Sequence, residues 1–159
     1  MNGLYFFLAI LGVVLRLLCN LFDGMVAVEG GMRGKSGEVF NDLPDRFSDL
    51  FILVPLGYYL PYAFGGELGW IAGIFSVLTA YVRVLGGSVG LEQTFSGPMA
   101  KPQRMFFVII ALAASIILSY WNLQKYAILG VLVIIILGSF ITFIRRTYHV
   151  ISGLEKTEG

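Results

Sequence analysis

The stretch NLFDGMVAVEGGMRGKSGEVFNDLPDRFSD, Asn20 to Asp49, holds six of the chain's ten acidic residues within thirty positions. It lies between two apolar segments, residues 4–22 upstream and LFILVPLGYYLPYAF, residues 50–64, downstream. A membrane-spanning helix needs about 20 apolar residues, and the downstream segment supplies fifteen uncharged ones. A spanning helix there has to reach back through Asp49 to Asp45, which places carboxylates inside the bilayer. An ionised carboxylate facing lipid costs roughly 3 kcal/mol on insertion scales. Asp23, Asp45 and Asp49 are therefore expected to face inward, compensated by basic residues, protons or a metal ion.

The rest of the chain has the composition of a membrane protein. Hydrophobic residues make up 57% and charged residues 13%, and mean hydropathy is +0.83. These values exclude an ordinary soluble globule. Five apolar segments predict an all-α integral membrane bundle of about five transmembrane helices, near 4–22, 38–64, 68–85, 102–121 and 126–147, in a single domain over 1–159. No repeat or long linker divides it. The first helix does not read as a secretion signal, because Met1 to Leu15 carries no positive charge. The lone Cys19 excludes an intrachain disulfide and is expected to be a packing residue.

Alternating topology gathers Arg33, Lys35, Arg46, Arg83, Lys101, Arg104, Arg145, Arg146 and Lys156 on one side and leaves Lys125 on the other. The positive-inside rule makes the richer side cytoplasmic. Tyr58, Tyr59, Tyr62, Trp70, Tyr120, Trp121 and Tyr126 collect at the opposite interface, where amphipathic rings settle. The acidic stretch then faces the cytoplasm, in what is expected to be a bacterial inner membrane. No nucleic-acid partner is expected.

Helical spacing sorts the polar residues. Arg16, Asn20, Asp23 and Ala27 recur every three or four positions and share one face of the first helix. Asn41, Asp45, Ser48 and Asp49 do so on the second, with Asp42 beside them. Oxygen donors without His or Cys favour a hard dication, Mg²⁺ or Mn²⁺. Gly24, Gly30, Gly31, Gly34 and Gly37 let backbone approach a ligand closely, which suits a pyrophosphate.

These residues resemble the signature of the CDP-alcohol phosphatidyltransferases: Asp, two residues, Asp-Gly, two residues, Ala-Arg, about eight residues, Gly, three residues, Asp, three residues, Asp. Asn20, Asp23, Gly24, Ala27, Val28, Gly37, Asn41 and Asp45 fall at the matching positions. Asn replaces the first and third acids, and Val28 replaces the arginine. The resemblance implies metal-dependent transfer of a phosphatidyl group from CDP-diacylglycerol to an alcohol, releasing CMP, in phospholipid biosynthesis. It implies metal ligation by Asn20, Asp23, Asn41 and Asp45, nucleotide contacts at Gly24, Ala27 and Gly37, and Asp45 as general base. Asp49 takes that role if the register shifts by one turn. It also implies a homodimer. Family members typically have six spans, and this chain reads as one lacking the first.

Arg83, Lys101 and Arg104 are candidate phosphate-binding cations, and they are equally expected as topology residues snorkelling to headgroups. Arg16 is expected to pair with Asp23. Gly130 and Gly138 are expected at close helix contacts. Two other readings stay open: a catalytically weakened relative that binds nucleotide or lipid as an assembly subunit, and an ion pathway.

Overall fold

The structure, a computed structural model, describes residues 3–29, 37–94 and 96–158. The side chains of residues 23, 24, 26–29, 37–41 and 157–158 lie outside what it describes. Five helices run in order: α1 Gly3–Glu29, α2 Gly37–Tyr58, α3 Gly65–Ser88, α4 Lys101–Leu118 and α5 Gln124–Glu158, with a 3₁₀ turn Ser119–Trp121 before the last. Among the described residues there is no strand. Four helices are long and apolar enough to cross a bilayer, α2 being the exception. The chain is an all-α integral membrane bundle.

α2 is long enough at 22 residues, but its charges give it two opposed faces. Leu43, Phe47 and Phe51 point outward at 54%, 53% and 76% exposure, while Asp45, Asp49 and Leu53 are buried. Apolar side chains outside and charges inside is the pattern of a helix whose outer solvent is lipid. α2 starts early, at Gly37, and therefore has a full span's length by Tyr58. Pro61 follows, and its ring disfavours helix in the residue before it. The expected extension to residue 64 is instead a turn, closed by Leu60 N–H to the Gly57 carbonyl and Gly65 N–H to that of Tyr62.

α2 and α3 form a tightly packed hairpin because α3 presents Gly65, Gly69 and Gly73 at four-residue spacing toward Gly57, Val54 and Leu50. A Cβ at Gly69 would lie 2.7 Å from the Val54 carbonyl oxygen and 3.0 Å from that of Leu53. Small residues at this spacing let helix backbones touch. Gly69→Val is expected to force the hairpin apart at a cost of about 1–3 kcal/mol or more, read as a lowered unfolding temperature in detergent. Gly130→Ala should be neutral or slightly stabilising, since a Cβ there meets nothing within 4 Å. Gly130 is thus not the close contact its setting suggested. Gly138 is closely packed, against Met99 of the connection before α4 and not against another helix.

α3 packs on α5 through Phe75, which meets Phe140 edge-on at 5.5 Å, and through Gly86 under Val150. α4 and α5 form a second hairpin, whose turn places Asn122 at φ 56°, a left-handed conformation asparagine tolerates. α1 packs chiefly on α4 and touches α2 little. Between α1 and α2 this leaves an apolar groove of about 560 Å³, floored by Val108 and Leu112 of α4 and closed at one end by Arg16 and Ser48. The core between the hairpins holds Leu53, Met105, Val108, Leu112, Ile128, Leu132 and Ile135. α5 continues well past residue 147, because Val150 and Gly153 still have packing partners in Gly86 and Leu91. At 1.5 Å per residue its length is about 52 Å, beyond a hydrocarbon core of ~30 Å.

Candidate functional site

Asp49 is fully buried. Its Oδ1 accepts a hydrogen bond from Arg16 Nη2 of α1 at 2.9 Å, and its Oδ2 accepts one from Arg104 Nη2 of α4 at 2.8 Å. One carboxylate thereby ties three helices, including the pair α1 and α2 that otherwise hardly meet. Asp45, one turn earlier and 5% exposed, accepts from Arg16 Nη2 at 3.3 Å. It also pairs with Lys101 at the start of α4 and lies 3.8 Å from Arg46 Nη2. Asp42 pairs with Arg83 of α3. Arg16 therefore bonds the acids of α2, and the side chain of Asp23, its expected partner, lies outside the described residues.

Arg104, itself 1% exposed, is held from its other side by Nη1 donating to the Met99 carbonyl at 3.0 Å and to Thr79 Oγ1 at 3.4 Å. Arg146 of α5 donates Nη1 to the Thr79 carbonyl at 2.7 Å and Nε to the Ser96 carbonyl at 3.0 Å. Thr142 Oγ1, one turn before Arg146, accepts the Met99 amide at 3.0 Å. These bonds seat the connection before α4 against α5, and so fix where Lys101 and Arg104 enter the bundle.

The cluster opens into a cavity of about 380 Å³ whose lining includes Asn20, Thr79 and Ala100. Among the described residues, two carboxylates, Asp42 and Asp45, face it against five cations: Arg46, Arg83, Lys101, Arg104 and Arg146. The surplus is positive, and in a low-dielectric surround it favours a ligand bearing several negative charges. Asp49 does not line the cavity.

The structure therefore brings Asn20, Asp45, Arg83, Lys101 and Arg104 together around one space and sets Asp49 behind them. Asp23 and Gly24 belong to α1, and Gly37 and Asn41 to α2. Their side-chain surroundings, with those of Ala27, lie outside the described residues. Asn20 and Asp45 offer oxygen donors of the kind a hard dication takes. Among the described residues no three His, Cys, Asp or Glu side chains converge to hold a metal; Asp23 and Asn41 stand one turn from Asn20 and Asp45 on the same helices.

Sequence reasoning passed over Arg146 and Thr79. Arg146 reads as one of several topology cations, yet it continues an inward stripe of buried polar residues on α5, Ser139, Thr142 and Arg146. That stripe was its available signal.

Fold and site together define a polytopic helical membrane protein with a buried ionic cluster beneath a cation-rich cavity. Comparison with known proteins adds two relatives. The chain is 27% identical over 158 residues to the phosphatidylinositol phosphate synthase of Streptomyces avermitilis, covering 91% of the chain and 62% of that protein. It is 25% identical over 123 residues to the inner membrane protein YnbA of Escherichia coli, covering 76% of the chain and 60% of that protein. The chain thus spans about three-fifths of the length of these curated relatives. No family model matches it, and no solved structure does.

Proposed function

We propose that the chain is a CDP-alcohol phosphatidyltransferase, with its site open to the cytoplasm. The observation that carries this reading is the meeting of Asn20 and Asp45, from the two motif helices, in a cavity walled by five cations. Similarity to a phosphatidylinositol phosphate synthase supports it. The substrates are CDP-diacylglycerol and an alcohol.

In the reaction, the alcohol oxygen attacks the phosphatidyl phosphorus and the bond from that phosphorus to the bridging oxygen of CMP breaks. CMP departs with the electron pair, and Asp45 takes the alcohol proton. Arg83, Lys101 and Arg104 neutralise the pyrophosphate and the leaving CMP. Asn20, Asp23, Asn41 and Asp45 would hold Mg²⁺ or Mn²⁺, which supplies charge stabilisation on the phosphoryl oxygens. Asp49 positions Arg16 and Arg104 and does not touch substrate. The positive surplus favours an acceptor that itself bears a phosphate, in keeping with the name of the Streptomyces relative.

Lys101→Met is expected to raise KM for CDP-diacylglycerol roughly ten- to a hundredfold, the value of one hydrogen bond to a charged group, while kcat changes less. Steady-state kinetics in mixed micelles measure both.

A second reading has its own observation. Both buried acids are already paired with cations, as in a relative that binds nucleotide or lipid without turning it over. Paramagnetic resonance of Mn²⁺ separates the two. Mn²⁺ uptake that depends on CDP-diacylglycerol, accompanied by CMP release, supports the enzyme. The same uptake with no CMP over a broad panel of alcohols leaves only the binding subunit.

A further inference from the structure

At the other end of α2, thirteen residues from Asp45 and so about 20 Å along the helix, the turn into α3 folds around a second polar cavity of about 390 Å³. Tyr58, Tyr62 and Trp70 line it together with Gly66 and Glu67. Two of the rings have close neighbours. Tyr62 stacks on Phe64 with centroids 5.3 Å apart and planes 2° from parallel. The Tyr58 ring, 68% exposed, lies beside Gly66, where an added Cβ would come within 3.0 Å of it. Glu67 makes no ion pair among the described residues. Aromatic residues at this depth would by themselves be an interfacial belt. Glu67, exposed in the first turn of α3 where the helix N-terminus favours an acid, sets a carboxylate among these rings.

We propose that this cavity binds the ammonium group of a zwitterionic phospholipid headgroup, in the leaflet opposite the ionic cluster. Aromatic faces attract an organic cation, and Glu67 supplies its counter-charge. The first turn of α3 supplies the complement for the headgroup's phosphate, because helix N-terminal amides carry partial positive charge and favour anions. Of those amides, Gly65 and Leu68 are taken by the carbonyls of Tyr62 and Phe64, while Gly66 and Glu67 are the ones at the cavity wall. An anionic lipid without an amine matches the helix end but meets Glu67 as a like charge. A hard metal ion finds one carboxylate where it needs several oxygens. A zwitterion matches both ends, and the surrounding lipid supplies it at high local concentration.

Trp70 is one of two tryptophans, so a Trp121→Phe background makes it the sole indole reporter. The full chain is placed in nanodiscs of phosphatidylglycerol containing rising fractions of phosphatidylethanolamine. Expected are a saturable change in Trp70 emission and a phosphatidylethanolamine molecule retained per chain in native mass spectrometry. Glu67→Gln, at an exposed position, should weaken the apparent affinity roughly two- to fivefold. Gly66→Val should abolish retention by displacing the Tyr58 ring. Emission that rises without saturating, or Glu67→Gln behaving as wild type, would overturn the proposal. Free ethanolamine saturating the signal as readily as the lipid would overturn the assignment to a headgroup.

Discussion

Asp45→Asn is expected to lower CMP release from CDP-diacylglycerol by roughly 10²–10⁴-fold, the range of a positioned general base, with the fold retained. The amide keeps the size and one acceptor oxygen of the carboxylate and loses its capacity for the alcohol proton. Stability should change modestly, because Lys101 and Arg46, two of the partners it leaves, face the cavity where water can reach them. Rate and unfolding temperature measured on the same preparation distinguish loss of chemistry from loss of structure. A variant retaining wild-type rate would remove Asp45 from the reaction.

Asp49 should behave in the opposite way. Asp49→Leu leaves Arg16 and Arg104 without the carboxylate that each bonds at 2.9 and 2.8 Å, at a position that is itself fully buried. Removing one partner of a buried ion pair costs about 3–5 kcal/mol, and here Arg104 loses its carboxylate while Arg16 keeps only its longer contact with Asp45. The expected result is a large drop in unfolding temperature and a loosened contact between α1 and α2, which the Arg16–Asp45 pair alone then bridges. The triple replacement Arg16→Met, Asp49→Leu, Arg104→Met should recover most of that stability, as apolar substitutes for buried ion networks often do. Recovery of stability together with activity would assign these three residues to scaffolding, whereas recovery of stability alone would leave Arg104 its part in phosphate binding. A single Asp49→Leu variant as stable as wild type would contradict the bridging role.

Much of this architecture was legible because apolar surroundings make carboxylates conspicuous. Fifteen uncharged residues after Asp49 are too few for a span, and that shortfall alone put Asp45 and Asp49 inside the bundle, where they are. The spacing of Asn20 with Asp23 and of Asn41 with Asp45 likewise predicted two facing helix surfaces, and Asn20 and Asp45 do line one cavity. The pairing of the charges was not legible. Which arginine meets which acid depends on how α1, α2 and α4 cross, and a one-dimensional pattern carries no crossing angle. Arg16 was matched to Asp23, whose side chain lies outside the described residues, and its bonds to Asp45 and Asp49 were not foreseen. Arg146 was hidden by its neighbour Arg145, since adjacent residues point different ways on a helix and only one of the two turns inward. Glycine was ambiguous for the same reason: Gly130 and Gly69 look alike in sequence, and only the partner helix separates an open position from a backbone contact.

The central claim is that the cavity shared by Asn20 and Asp45 carries out phosphatidyl transfer at the membrane surface. Its most direct test is mass spectrometry of the lipid products formed when purified protein is given CDP-diacylglycerol, Mg²⁺ or Mn²⁺ and a panel of alcohols with and without a phosphate. A new phosphatidyl lipid, formed one for one with CMP and absent with Asp45→Asn, is the predicted result. CDP-diacylglycerol recovered intact with every alcohol, from protein shown to be folded, would contradict it.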